Sequence, residues 1–360
     1  RSVKVVNVGG TSILLTRDAR GELHALYNVC RHRGARLCRQ DRKGDSRQLT
    51  CPYHWWSYRL DGSLKAAPPM AAPPEGSEER RALGLRRLRM EVFAGMVFVN
   101  QSAEAPPLRD ALGDLPKKLE RYDLDDDLVV QGEKSYDIGG NWKAIAENFL
   151  DFYHLPPVHP LLAKYLKLED HKAYQGSGQY VGYVTTDTAL NADGGPGDAS
   201  SFNPFPRITE SEAKSTLFFV IFPNVCLTVM PHSIYTLICY PTEDPSRTRE
   251  ELTMLLPRSA RLATDSDGQF EEKRKALLDF LVQLNDEDVE AIENLQDGLK
   301  DGSEIGVQPY YVPKYDWPVH RFHNLVLSGL QSEGLDERCM PEYSQEFAHR
   351  VDQELWTLDL

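Results

Sequence analysis

No apolar run in this 360-residue chain approaches 18 residues, so no membrane-spanning helix is expected. Positive charge is short as well. The chain has 41 Lys and Arg against 54 Asp and Glu, a net charge of −13 that argues against nucleic acid or an anionic membrane as partner. Cysteine is scarce: of six, Cys38, Cys226, Cys239 and Cys339 show no disulfide-like spacing. A reducing compartment is the simpler inference. That means the cytoplasm, or an organelle if a transit peptide has been removed from a sequence that opens at Arg1 without an initiator Met. A nucleotide-binding fingerprint is also missing, because Gly176-Ser177-Gly178 runs into Gln-Tyr-Val without the third glycine or the strand-to-helix setting. If the chain handles reducing equivalents, a separate protein must take them from a nicotinamide cofactor. No internal repeat is present.

Against these absences stand two short motifs, Cys30-Arg31-His32 and Cys51-Pro52-Tyr53-His54. Each offers one thiolate and one imidazole. That mixture suits a Rieske [2Fe–2S] centre, in which two cysteines hold one iron and two histidines the other. Cys30 and Cys51 would take the first iron, His32 and His54 the second. Tetrahedral zinc is the competing reading, since two Cys and two His suit it too. Its knuckles, however, pair like with like at C-x2-4-C and H-x3-5-H spacing, whereas here each cysteine is followed closely by a histidine. Gly34 and Pro52 are turn formers, and Asp61-Gly62 ends the short aromatic strand Trp56-Ser57-Tyr58, so the ligands are expected on two loop tips.

A second constellation begins at Asn141-Trp142-Lys143. The stretch NWKAIAENFLDFYHLPPVHP reads as a helix with Trp142, Ile145, Phe149 and Phe152 at mostly helical spacing, stopped by Pro156-Pro157. On such a helix Asp151 and His154 share a face. The prolines push Leu155 and Pro156 toward extended geometry, which lets His159 fold back toward His154. Two histidines and a carboxylate make the facial triad of non-haem Fe(II) oxygenases. The carboxylate is expected from NDEDVEAIENLQDGL, 285–299, read as a helix with Ile292, Leu295 and Leu299 on one apolar stripe. Stepping back four residues from Ile292 reaches Asp288. Asp286 is the alternative, and residues 285–288 also suit an acidic first turn that complements the helix dipole. His24, His171, His232, His320 and His323 have no such company and read as ordinary.

The texts NVCRHRGARLC at 28–38 and CPYHWWSYRLDGSL at 51–64 resemble the terminal oxygenase (α) subunits of Rieske non-haem iron oxygenases, the ring-hydroxylating oxygenases. The likeness runs through most of the chain. Two departures stand out: Trp55 occupies a position that is usually Gly in the family, and residues 33 to 50 make a slightly long link between His32 and Cys51. The resemblance supports Asp288, because Glu293 and Gln296 follow it as in the family's iron-ligand segment. It also implies that Asp151 bridges His154 to His54 of an adjacent chain, and hence a homotrimer. It implies a mononuclear Fe(II), dioxygen as co-substrate, and NAD(P)H used through a flavin/iron–sulfur reductase or ferredoxin. The product would be a hydroxylated or oxidatively demethylated small molecule. The segment FPNVCLTVMPHSIYTLICYP resembles both aromatic-acid and choline/carnitine-type members, and Phe202, Phe205, Phe218, Phe219, Phe222, Tyr235 and Tyr240 are candidates for an aromatic or cation–π pocket. Two readings compete: a Rieske electron carrier or redox sensor with a non-catalytic second domain, and a zinc-bound scaffold.

The expected class is α+β, with a boundary near Ala103-Glu104-Ala105-Pro106-Pro107 dividing residues 1–103, an all-β Rieske domain, from residues 104–360, the catalytic domain. The first segment shows β-runs at Val3-Val6, Ser12-Thr16 and Met96-Val99 and a Pro/Ala-rich loop at 65–84. The second shows a polar Gly-rich loop at 191–200, alternating strands at 216–222, 225–230 and 234–240, and a helical stretch from 267 to 300. The resemblance implies a helix-grip arrangement on a curved antiparallel sheet.

Overall fold

Short runs rich in β-branched and aromatic residues between residues 180 and 257 supply five of the seven strands of the largest sheet. The computed structural model describes residues 1–44, 46–124, 128–186, 202–260, 268–307, 309–312 and 314–331, so the 191–200 stretch and Cys339 lie outside the described residues. Contacts divide the chain into two units, Arg1–Val92 with Met96–Ala105, and Phe93–Gly95 with Pro106–Leu360.

The first unit is β apart from a short helix, Glu78–Ala82, inside the expected Pro/Ala-rich loop. Strands β1 (Ser2–Val8), β2 (Thr11–Arg17) and β3 (Leu23–Tyr27) form one antiparallel sheet. The very short β4 (Leu49–Thr50), β5 (Ser57–Tyr58) and β6 (Leu64–Ala66) form a second, and β7 (Arg89–Phe93) with β8 (Met96–Asn100) a third. Their core gathers Leu14, Leu26, Leu37, Leu49, Tyr58 and Leu64 around Cys30 and Cys51. At the β5–β6 turn Gly62 has φ +87, and a Cβ there would lie 2.8 Å from a Leu26 methyl carbon; both facts require glycine.

In the second unit seven antiparallel strands run in the order β10-β11-β12-β13-β14-β15-β9. These are β9 (Leu128–Ile138), β10 (His171–Gln175), β11 (Tyr180–Thr185), β12 (Thr216–Ile221), β13 (Val225–Val229), β14 (Ile234–Pro241) and β15 (Thr248–Pro257). The register aligns Tyr183, Phe218, Thr228, Tyr235 and Met254 in one row across the sheet. Cross-strand partners share a face, and it is the face covered by helices, because Phe149 of the Trp142–Leu150 helix meets Phe218 edge-on at 6.1 Å.

A 36-residue helix, Phe270–Ile305, packs on the same sheet. Gly132 on β9 makes room for it: a Cβ there would lie 2.7 Å from a Leu278 methyl carbon. The helix buries Phe270, Leu277, Phe280, Leu281, Asn285 and Ile292, a stripe on which Asp288 also falls. The expected extension of that stripe through Leu295 and Leu299 is not found. Both are exposed, at 40% and 37%, because the buried stripe runs back from Ile292 toward Phe270 rather than onward.

Candidate metal centres

The two cysteine–histidine motifs fold into matching turns. The Cys30 carbonyl accepts from Gly34 N at 3.0 Å, and the Cys51 carbonyl from Trp55 N at 3.1 Å. Cys30 N donates to the Ala35 carbonyl at 2.9 Å and Cys51 N to the Trp56 carbonyl at 2.8 Å. In both turns the fourth residue after the cysteine is left-handed, with φ +78 at Gly34 and φ +61 at Trp55. The family's glycine at this place therefore has a backbone reason, and Trp55 adopts the conformation at a cost of about 1–2 kcal/mol. Its side chain is 72% exposed.

These turns bury both cysteines and set the His32 and His54 rings 4.5 Å apart, edge to face. His32 lies flat on Trp56 at 5.1 Å, and Tyr53 lies 3.8 Å from His54. His54 Nδ1 is buried with no partner among the described residues, which leaves a nitrogen lone pair for a metal. Burial and the neighbouring His32 and Arg33 charges also lower the His54 pKa. Tyr58 Oη accepts from Arg31 N at 3.1 Å and lies 3.3 Å from Cys30 Sγ, so its hydrogen is free to donate to a thiolate there. Donation to a cluster sulfur tunes reduction potential. Tyr58 went unassigned in the sequence; its place two residues after Trp56 is the only signal it offers. The four ligand atoms do not gather as one ion would require. Among the described residues the groups of three or more donor atoms within 4.8 Å are His154, His159 and Asp288, and Asp18, Glu22 and His24. A pair of irons fits the cysteine–histidine set better than one tetrahedral zinc.

The second centre forms where the Trp142–Leu150 helix ends. The helix does not run to the prolines: Asp151 is already extended (φ −87, ψ 101) and caps it. Pro156 and Pro157 open a new turn, Leu155–Val158, instead of stopping the old one. Leu155 and Pro156 are therefore helical, contrary to the expected extended geometry, because proline is well tolerated in a helix's first turn, where its missing N–H costs nothing. His154 and His159 flank this turn and meet, Nε2 to Nε2, at 3.2 Å.

Asp288 completes the group. Its Oδ1 lies 3.0 Å from His159 Nε2 and 3.4 Å from His154 Nε2. An octahedral ion with ligands at about 2.1 Å separates neighbouring donor atoms by about 3.0 Å, so three atoms 3.0–3.4 Å apart fit one face of such an ion. Asp286 points elsewhere and pairs with Lys134 Nζ at 2.7 Å. The outer ring nitrogens also face carboxylates, an arrangement that orients metal-binding histidines. His159 Nδ1 lies 2.7 Å from Glu287 Oε2. His154 Nδ1 faces Asp151 Oδ2 at 3.4 Å without hydrogen-bond alignment, while Asp151 Oδ1 accepts from Tyr153 N at 2.7 Å. In the sequence Glu287 reads only as part of an acidic first turn, and it is the fold that turns it onto His159.

Electrostatics here favour positive charge. Burial works to lower the His154 pKa, but Asp151 and Asp288 outweigh it and raise it to about 9. His159 is raised too: burial opposes the shift, and Asp288 and Glu287 drive it. Burial works to raise Asp288, yet the two histidines hold it at about 2. A divalent cation would meet the demand these charges express.

Beside the triad lies an aromatic wall. Phe152 packs on Tyr183 at 5.3 Å, and Tyr183 stacks on Phe218 at 4.6 Å. Tyr235 shares their row, whereas Phe219 and Tyr240 fall on the opposite face by strand parity, so the expected aromatic set divides. Phe222 meets Phe322 at 6.2 Å, Phe202 meets Phe270 at 6.1 Å and Phe205 meets Tyr122 at 5.5 Å. His171, read as ordinary, stacks on Phe152 at 5.0 Å. Deeper in the sheet, Glu250 accepts from Asn285 Nδ2 at 2.7 Å, one helical turn from Asp288.

With this geometry in place, the family model described as "Ring hydroxylating alpha subunit (catalytic domain)" matches residues 125–332, and "Rieske [2Fe-2S] domain" matches residues 1–88. Among curated relatives, the glycine betaine monooxygenase oxygenase subunit of Pseudomonas aeruginosa is 35% identical over 45% of this chain and 36% of its own length. The anthranilate 1,2-dioxygenase large subunit of Acinetobacter baylyi is 38% identical over 43% of this chain and 33% of its own. These matches thus span about a third of the relatives' lengths. Among solved structures, a quaternary ammonium Rieske monooxygenase, described in connection with carnitine oxidation and inter-subunit electron transfer, shares the fold. Its TM-score is 0.70 at 22% identity, covering 90% of this chain and 84% of that one. Among the described residues no helix is long and apolar enough to cross a membrane.

Proposed function

Because the chain belongs to the ring-hydroxylating oxygenase alpha-subunit family, with a Rieske [2Fe–2S] domain ahead of its catalytic domain, we propose that it is a terminal oxygenase component. It takes electrons from a flavin/iron–sulfur reductase or a ferredoxin and hydroxylates, or oxidatively demethylates, a small organic substrate. When bound, the cluster supplies electrons singly and the ferrous ion activates dioxygen. Cys30, Cys51, His32 and His54 hold the cluster, and Tyr58 donates to Cys30. His154, His159 and Asp288 hold the iron, with Asp151 and Glu287 orienting the histidines. Asp151 further links His154 to His54 of the adjacent copy, in a homotrimer.

The observation that carries this reading is the approach of His154 Nε2, His159 Nε2 and Asp288 Oδ1 to within 3.4 Å of one another, each histidine facing a carboxylate on its far side. An electron carrier with an inert second domain has no use for it. The aromatic wall of Phe152, Tyr183 and Phe218 offers apolar ring faces that suit a flat aromatic acid or, through cation–π contact, a quaternary ammonium group. A single-turnover experiment tests the proposal. Prereduced protein, given dioxygen and a panel of aromatic acids and quaternary ammonium compounds, should oxidise its cluster and release a hydroxylated or demethylated product with at least one of them. Cluster oxidation without product across both classes would leave only the carrier.

A further inference from the structure

Two polar groups on the helix-facing side of the sheet serve neither metal centre. His171 opens β10 and Thr185 closes β11, and the register sets them opposite each other. Such partners project to one face with Cβ atoms about 4.5–5.5 Å apart, here the face of Tyr183 two residues earlier. His171 is 8% exposed and Thr185 0%. His171 Nε2 and Thr185 Oγ1 are both buried with no hydrogen-bond partner among the described residues, a costly state that folded proteins seldom leave unfilled.

The histidine's tautomer is fixed by its other nitrogen. His171 Nδ1 lies 2.9 Å from the Lys167 carbonyl oxygen, which can only accept, so Nδ1 carries the proton. Burial lowers the pKa of the ring and keeps it neutral. Nε2 is then an acceptor, while Thr185 Oγ1 can donate and accept. The ring stacks on Phe152 at 5.0 Å and lies 5.6 Å from Tyr183, so the pair sits at the edge of the aromatic wall. Phe152 itself stands between Asp151 and His154.

We propose that His171 Nε2 and Thr185 Oγ1 recognise the substrate, accepting a hydrogen from its hydroxyl or amino group and donating one back from Thr185. The substrate class is then an aromatic or quaternary ammonium compound that also bears an O–H or N–H group. A bare carboxylate is a poor fit, because it would set lone pairs against the Nε2 lone pair. This inference rests on the oxygenase reading of the neighbouring triad.

Two matched pairs of compounds provide the test: L-carnitine with γ-butyrobetaine, which lacks the hydroxyl, and anthranilate with benzoate, which lacks the amine. Calorimetric titration of the iron-loaded protein under argon should show the donor-bearing member binding about 10–100-fold tighter in whichever pair binds. Thr185→Val and His171→Phe should each remove most of that gap and leave the other member within about twofold. Since its hydroxyl has no partner to lose, Thr185→Val without ligand should melt no lower than the parent. Equal affinities within a binding pair, or a gap that survives both variants, would overturn the proposal. So would a fall of several degrees in the melting point of Thr185→Val. If neither pair binds, the substrate classes proposed above are wrong, and the melting comparison alone decides whether Thr185 is free for a ligand.

Discussion

Replacing Glu250 with Gln should make the protein less sensitive to alkali. Glu250 is 1% exposed, and Asn285 Nδ2 at 2.7 Å is too little to offset its burial. Burial, with the Asp288 charge adding to it and Asn285 opposing, raises its pKa from 4.5 to about 7. Since the folded value lies above the unfolded one, the stability linked to this group is full below about pH 4.5 and is lost as pH rises through 7. Each pKa unit is worth about 1.4 kcal/mol, so between pH 5 and pH 8 the parent should lose about 2–3 kcal/mol through this one side chain. Gln keeps the acceptor for Asn285 and does not titrate. Urea unfolding of both proteins at pH 5 and pH 8 measures the effect. The pH 5 pair reports the packing cost of the amide, and subtracting it from the pH 8 pair leaves the titration, expected at about 2–3 kcal/mol in favour of Gln. A difference under about 0.5 kcal/mol would mean that Glu250 reaches water and ionises normally.

Trp55→Gly should raise stability by up to about 1 kcal/mol in chemical denaturation, because it relieves a left-handed residue whose side chain is exposed, and should leave the cluster's visible spectrum unchanged. His54→Cys should lower the cluster's midpoint potential by about several hundred mV or abolish its signal in protein-film voltammetry and EPR, since neutral imidazoles set that potential. Asp288→Ala should lose the mononuclear iron in metal analysis while Asp286→Ala keeps it; the reverse would transfer the ligand role. Asp151→Asn should weaken iron binding by about 10–100-fold. With iron restored, it should slow cluster oxidation in single turnover far more than that; a parental rate would remove Asp151 from the electron path.

Legibility in the sequence followed how local each arrangement is. Cys30, His32, Cys51 and His54 announce themselves because each half-site fits within four residues, and the strands at 216–240 because short runs of β-branched and aromatic residues are a local signal, although β12 and β13 are buried on both faces instead of alternating. The turn around His154 was misread for a physical reason: proline both ends and begins helices, and here the cap at Asp151 decided which. Asp151 and His154 still meet, but across a bend instead of along a helix face. Asp288 was reachable by projecting the helical stripe, whereas Glu287 was not, since only the fold turns it onto His159. His171, Thr185 and Glu250 stayed silent because their meaning comes from cross-strand register and burial, which link residues 14 to 35 positions apart.

Metal analysis tests the pairing of two centres in one chain most directly. Anaerobically reconstituted protein should hold about three irons per chain, the cluster's pair plus one, with about two labile sulfides. His154→Ala should hold about two irons, with the red-brown cluster spectrum unchanged. About two irons in the parent, or a His154→Ala variant that loses the cluster colour along with its iron, would contradict the existence of a separate mononuclear site.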